Sequence, residues 1–352
     1  MKTIYIGSTS GYAGKTLITV SLALYFKERG LNVGYMKPVG VLPYNYRGKL
    51  GDEDAHFVQE VLELEDDPEL VTPVVVTRDL HMEVLKKGCP DFMEKILNAF
   101  SILSKGRDVM LVSGSGSFLH AGKYCNVAGV DVSMALGARV ILIDRFFKEF
   151  YYDYLISARE MLGEMLIGCV LNSVPEKGLN TVDCLLKPLL ERKGVKVLGV
   201  LPRDPMLSSI TVEDLCLRLK GNVIAAPNYT NVAVKDFLIG TMQVENFMLH
   251  FSRRKNPAVI VGGDRSDLQL MALEGRCVCL ILTGNIYPNE LILSRANELN
   301  IPIIMVRDDT YTIAKRMDKI LETIKLRDSS KVKRGFSLIR EYFDWEYLNQ
   351  VI

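Results

Sequence analysis

Short apolar runs that alternate with helical-period segments set the strongest limit on what this chain can fold into. TIYIG (Thr3–Gly7), NVGYM (Asn32–Met36), DVMLVSG (Asp108–Gly114), ARVILID (Ala138–Asp144), LIGCVLN (Leu166–Asn172) and VKVLGV (Val195–Val200) are too short for helices and too uniformly apolar to face water on one side. They predict an α/β fold, a mostly parallel sheet with helices on both faces. After Pro202 and Pro205 the alternation restarts with NVIAAP (Asn222–Pro227), AVIVGGD (Ala258–Asp264), CVCLILTG (Cys277–Gly284) and IPIIMV (Ile301–Val306), which predicts a second, smaller α/β domain. The expected division is 1–208, 209–328 and a helical tail over 329–352. Phe336, Phe343, Trp345 and Tyr347 make that tail suit a docking or dimer element, so a homodimer is expected.

Charge excludes some partners. Lys and Arg total 43 against 42 for Asp and Glu, so no global field recruits nucleic acid or an anionic membrane, and any anion is bound locally. No apolar run is long enough to span a membrane, and MKTIYIGSTS lacks the apolar core of a signal peptide. The seven cysteines are odd in number and scattered through apolar runs. That pattern argues against a disulfide framework and for a reducing, cytoplasmic setting. Cys277 and Cys279 are expected on one face of a buried strand, as core residues and not as metal ligands.

Between the first apolar run and the first helical segment stands TSGYAGKT, Thr9–Thr16. It ends like the phosphate-binding loop G-x-x-x-x-G-K-[ST] but opens on threonine. A turn of this kind aims backbone N–H groups at an anion, and the helix N-terminus adds roughly half a positive charge. Gly11 and Gly14 are expected to supply the positive-φ or close-approach positions, with Ser10, Tyr12 and Ala13 completing the cradle. Lys15 would reach the terminal phosphates and the Thr16 hydroxyl would ligate Mg²⁺. The helix it opens should run to about Arg29 and stop at Gly30. Lys37, in GYMKPVG, lies at the carboxyl end of the next strand, where α/β sheets bind ligands. Asp52, Glu53 and Asp54 gather hard oxygen donors at a helix start, a pattern that serves either Mg²⁺ or helix capping.

Taken in order, GSTSGYAGKT, GYMKPVG, the Asp-Ala of DEDAHF, DVMLVSGSGSF, GCVLNSVP and LGVLPRDP resemble the dethiobiotin synthetase family. That family belongs to the P-loop group that also contains cobyrinic acid a,c-diamide synthase and MinD-type ATPases, and its loop also opens on threonine. From about Val212 to Leu326 the chain is similar to the DRTGG domain, through VIVGGDRSDLQLMAL, LILTGN and VRDDTYT. The two together resemble the N-terminal half of long-form phosphotransacetylases without the acetyl-transferring domain, so phosphotransacetylase activity is not expected.

The resemblance implies roles for single residues. Lys15 and Lys37 would be catalytic, Thr16 and Asp54 would hold Mg²⁺, Asn172 would read the adenine edge of ATP and Pro202 would lie near the base. One departure stands out, since the synthetases carry a metal-binding glutamate where this chain has Ser113. A neutral oxygen there removes a negative charge beside the metal. Two readings follow: a regulatory or sensing nucleotide-binding protein with weak turnover, or an ATP-dependent ligase or synthetase. A MinD-like ATPase is disfavoured because Ser10 stands where that group has an extra lysine. In the second domain GGDR (Gly262–Arg265), LTGN (Leu282–Asn285) and VRDDT (Val306–Thr310) mark strand ends where a ligand could meet backbone N–H groups, or simply tight turns.

Overall fold

The computed structural model describes residues 1–146, 152–322, 326 and 329–352. The chain forms two compact units, Met1–Asp204 together with Leu326–Ile352, and Pro205–Lys325.

In the first unit β1 (Lys2–Ser8), β2 (Val33–Met36), β3 (Val109–Ser113), β4 (Arg139–Arg145), β5 (Leu166–Val174) and β6 (Val197–Pro202) form one sheet. The order is β6-β5-β4-β1-β3-β2 and every neighbouring pair is parallel. Each of the six apolar runs read from the sequence is a strand, shifted by a residue or two at its ends. Ile4, Ile6, Leu111, Val112, Ile141 and Val170 are fully buried, as strands covered on both faces require. The order reverses at β1, whose two neighbours, β3 and β4, carry the chain away in opposite directions. Such a reversal leaves a crevice at the carboxyl ends of the strands. Helix α1 (Lys15–Glu28) starts in that crevice and ends at Arg29, with Gly30 in the left-handed region at φ 75°.

Two features of this unit were not legible. Pro43–Tyr46 and Lys49–Asp52 form an antiparallel hairpin that turns through Arg47 and Gly48, both at positive φ. The residues read as a tail form helices Ser329–Tyr342 and Trp345–Val351, which close onto the first unit. Trp345 stacks on Tyr25 of α1 with ring centroids 3.8 Å apart, Asn349 donates to the Tyr25 hydroxyl at 2.8 Å, and Asp344 N donates to Leu198 O of β6 at 2.7 Å. Phe343 and Trp345 of the segment are thus packed within the chain, while Tyr342 stays exposed.

The second unit holds β7 (Asn222–Ala225), β8 (Phe237–Gly240), β9 (Ala258–Gly262), β10 (Cys279–Thr283) and β11 (Ile303–Met305), in the order β7-β11-β10-β9-β8. All pairs are parallel except β7 with β11. Phe247, Leu268, Leu280 and Leu282 pack on one face, and Ile260, Ile281, Ile304 and Ile313 on the other. The expected arrangement of Cys277 and Cys279 is corrected here. Both are buried, but Cys277 precedes the strand and joins the first cluster, while Cys279 joins the second. Burial pushes both thiols up, which keeps them protonated.

The cysteine reading also needs correction at one pair. Cys89, before helix Phe92–Leu103, and Cys125, in the loop after β3, form a disulfide with Cα atoms 5.4 Å apart. Cysteines 36 residues apart give no sequence signal of such a meeting, which depends on how two loops converge.

Two measurements check this packing. Denatured, unreduced protein should titrate five thiols, those of Cys169, Cys184, Cys216, Cys277 and Cys279, and seven after reduction. At Gly335 an added Cβ would collide with the Leu17 side chain of α1. Gly335→Val should therefore destabilise the first unit by about 1–3 kcal/mol, followed in denaturant through the fluorescence of Trp345, the sole tryptophan.

Candidate functional site

The site is assembled from the carboxyl ends of β1, β2, β3 and β5. From Thr9 to Gly14 the chain turns between β1 and α1 with Tyr12 at φ 55° and Gly14 at φ 107°. Gly14 has to be glycine, both for that angle and because a Cβ there would strike the Asn172 amide. Gly11 is not at positive φ and a Cβ on it would meet nothing, so the expectation that it supplies a positive-φ or close-approach position is corrected: Tyr12 takes the positive φ. Asn172 at the end of β5 donates to Ala13 O at 2.8 Å, and its own side-chain oxygen accepts from Ser173 N. The residue expected at an adenine edge therefore also braces the phosphate loop. Pro202, expected near the base, ends the neighbouring strand β6 beside Val174.

Lys15 turns into the loop. Its Nζ donates to Ser8 Oγ at 2.7 Å and lies 3.4 Å from Gly116 O and 3.5 Å from Ser10 O. Burial first, and then the positive charge of Lys37, lower its pKa to about 8, while Asp54 opposes the shift. Thr16 follows it in the first turn of α1, half-buried. Lys37, with 4% of its surface exposed, donates to Asp52 Oδ1 at 2.7 Å and reaches Asp54 Oδ2 at 3.3 Å. The structure therefore brings Lys15, Lys37 and Asp54 into one electrostatic cluster. Asp52 takes the capping role: it accepts from Asp54 N and Ala55 N at the start of helix α2 (Glu53–Leu62), and from Val41 N and Leu42 N.

Ser113 ends β3, buried, with its hydroxyl close to the Tyr35 phenol. Burial, then the charges of Asp52 and Asp54, push the Tyr35 phenol well above its ordinary range, so it stays neutral. Two neutral hydroxyls thus lie together at the position where the resemblance implies a carboxylate. No group of three or more His, Cys, Asp and Glu residues arranged to hold a metal occurs among the described residues. Sequence reading also missed Asp144 at the end of β4, which accepts from the Thr9 hydroxyl. Burial raises its carboxyl to about 6, with the Thr9 bond opposing. The opening threonine of the loop thus has a partner that glycine could not supply, visible only once β4 is placed beside β1.

In the second unit Arg265 is paired with Asp267 at 2.9 Å, and Asp309 caps the helix Thr310–Glu322 through Thr312 N. Gly284 and Asn285 are both at positive φ, and Thr283 and Thr310 share a 2.7 Å hydrogen bond. These strand ends are tight turns, and Gln269, which donates to Gly262 O and Gly263 O, keeps a buried side-chain oxygen without a protein partner.

Residues 2–211 match the AAA domain model, more than half of the chain. The chain belongs to the AAA domain family. Residues 214–320 match the DRTGG domain. The chain is similar to the phosphate acetyltransferase of Pseudomonas putida, 25% identical over 373 residues that cover 99% of this chain and 52% of that protein. It therefore spans about half the length of that relative. It is also similar to the ATP-dependent dethiobiotin synthetase BioD of Methanococcus vannielii, 27% identical over 200 residues that cover 56% of this chain and 77% of that one. The regulatory region of Clostridium perfringens pyrophosphatase, with CBS and DRTGG domains, overlaps loosely at TM-score 0.29 and 15% identity, covering 49% of this chain and 87% of that one. Both resemblances drawn from the motifs hold: the first unit is a P-loop nucleotide-binding domain of dethiobiotin synthetase type, and the second region is a DRTGG domain. No helix among the described residues is long and apolar enough to cross a membrane.

The lowered pKa of Lys15 makes anion binding depend on pH. Above about pH 8 the free lysine is largely neutral, and a bound phosphate favours its charged form. Binding of inorganic pyrophosphate should thus take up a proton near pH 8.5 and weaken as pH rises from 7 to 9. Calorimetry in buffers of different ionisation enthalpy measures that uptake, and Lys15→Arg should remove most of it.

Proposed function

We propose that the first unit binds ATP or a related nucleotide with Mg²⁺, turns it over poorly, and communicates its ligand state to the DRTGG unit, a regulatory or sensing role. The observation that carries this reading is the buried Ser113–Tyr35 pair. It replaces a charged metal ligand by two neutral hydroxyls, while the loop that would cradle phosphate keeps its glycine, lysine and threonine. Binding survives such a change better than catalysis, which depends on charge placed where it develops in the transition state.

The oxygen donors at the cradle fit a modest magnesium site. Asp54 acts electrostatically on Lys15 and so lies at the phosphate end, and Thr16 is in the first turn of α1. A hydroxyl and one carboxylate suit an ion held mainly by phosphate oxygens and water, and such an ion would neutralise phosphate charge. Lys15 would hold the terminal phosphates, Lys37 would face the transferred group, and Asn172 would fix both the loop and the base. Communication has a covalent route, because the chain leaves the first unit after Asp204 and rejoins it at Leu326. Asp204, at the exit, is bonded at 2.7 Å to Arg334 in the first returning helix.

A second reading, an ATP-dependent ligase or synthetase, is favoured by the buried Lys37 held between Asp52 and Asp54. A lysine fixed in this way could position a small carboxylate or carbamate against the phosphate.

Calorimetry on Lys15→Ala should show loss of most nucleotide affinity; unchanged affinity would sink the cradle assignment. Phosphate release from ATP, alone and with diaminopelargonate plus bicarbonate, should stay well below about 1 per second, and faster turnover would decide for the synthetase. Hydrogen exchange over residues 258–312 should change with nucleotide, and identical exchange would remove the sensing role.

A further inference from the structure

The loop after β3 carries Ser117 and His120, which meet Tyr154 of the helix Asp153–Leu162, three groups that the nucleotide reading leaves unused. Its backbone is docked on the phosphate loop at two successive points. The Gly116 carbonyl accepts from Ser8 Oγ at 3.1 Å and lies 3.4 Å from Lys15 Nζ, and Phe118 N donates to Ser8 O at 2.8 Å. Phe118 is buried and packs edge-on to Tyr5. Gly116 sits at φ 61°, where a Cβ would press on Ala121. Ser117 is therefore held at the lysine end of the cradle, between two anchored neighbours.

Its hydroxyl lies 3.1 Å from His120 Nδ1 and 3.0 Å from the Tyr154 hydroxyl. One self-consistent polarity of this chain of bonds starts from its far end. Leu119 N–H can only donate, and it does so to the Tyr154 oxygen, so the phenol proton is free for Ser117 Oγ. Burial holds the Tyr154 phenol above its usual range, so it keeps that proton. In that arrangement, with the ring proton on Nε2, Ser117 points its own proton at His120 Nδ1, and the ring packs edge-on to Tyr154. A hydroxyl that points its proton at an imidazole and is oriented by a third group has the layout of an activated nucleophile.

We propose that Ser117 is a phosphoryl acceptor within the chain itself, a proposal that rests on the nucleotide reading above. With a nucleoside triphosphate in the cradle, Ser117 Oγ forms a bond to the γ-phosphorus. The bond from that phosphorus to the β–γ bridging oxygen breaks, the nucleoside diphosphate leaves with the electron pair, and the serine proton passes to His120. The product is one phosphoserine per chain, so nucleotide is consumed once and turnover then stops. The new phosphate stands beside Lys15, where it occupies part of the cradle.

The test incubates the full chain with ATP and Mg²⁺ and maps phosphate by mass spectrometry, with nucleotide binding measured in parallel by calorimetry. Phosphate on Ser117, absent in Ser117→Ala and formed at least tenfold more slowly in His120→Gln, is the expected result. Binding with Ser117 unmodified, or phosphate only elsewhere, overturns the acceptor and leaves the nucleotide reading standing. Absence of binding overturns both. A readout without nucleotide is the His120 imidazole nitrogen resonance, which should move in Ser117→Ala; an unmoved resonance overturns the hydrogen bond on which the proposal is built.

Discussion

Asp52 is the buried charge around which the phosphate end of the first unit is built. Its carboxylate accepts from the Lys37 ammonium and from four backbone N–H groups, those of Val41, Leu42, Asp54 and Ala55. A buried carboxylate is tolerable only when its lone pairs are met in this way, and removing it would leave Lys37 with Asp54 alone and four backbone N–H groups without their acceptor, at a cost of about 3–5 kcal/mol. One side chain thereby fixes the turn after β2, the first turn of α2 and the head of the second lysine. Asp54 can face the cradle because its neighbour has taken over the capping.

The two lysines have a consequence for the cradle itself. Lys15 and Lys37 repel one another, and that repulsion adds to burial, the larger cause, in lowering the pKa of Lys15. An anion between them relieves it, so part of the affinity for phosphate is set in advance by like charges held close together. The hydroxyl of Ser8 and the carbonyls of Ser10 and Gly116 keep Lys15 solvated meanwhile. The cradle is thus poised for an anion with little rearrangement of the loop.

What the sequence made legible was whatever depends on neighbours along the chain. The six buried strands of the first sheet, the glycine-lysine-threonine at the start of α1 and the stop at Gly30 all follow from local pattern. Contacts between distant segments stayed hidden. Thr9 gives no sign that Asp144 will meet it, Ser113 none that Tyr35 lies beneath it, and Cys89 none that Cys125 is its neighbour. The strand Phe237–Gly240 was missed for a different reason, since it is short, ends in glycine and follows a charged stretch that reads as loop. The aromatic C-terminal segment did not announce Tyr25 as its partner, because an apolar helix face looks alike whether it covers its own domain or another chain.

The return of that segment makes the DRTGG unit an insertion, not an appendage. Its two ends, Pro205 and Lys325, are both tied to a domain that is incomplete until Trp345 has found Tyr25. During synthesis the sheet of the first unit would emerge early, yet its last helices arrive only after the whole inserted unit has been made. A helix that must cross so much intervening chain has a loop-closure cost that grows only logarithmically with length. That cost falls further if the inserted unit has already folded and drawn its own ends in. The order of assembly is then inner unit before outer closure, and the exposed face of α1 is the surface most at risk while the chain waits.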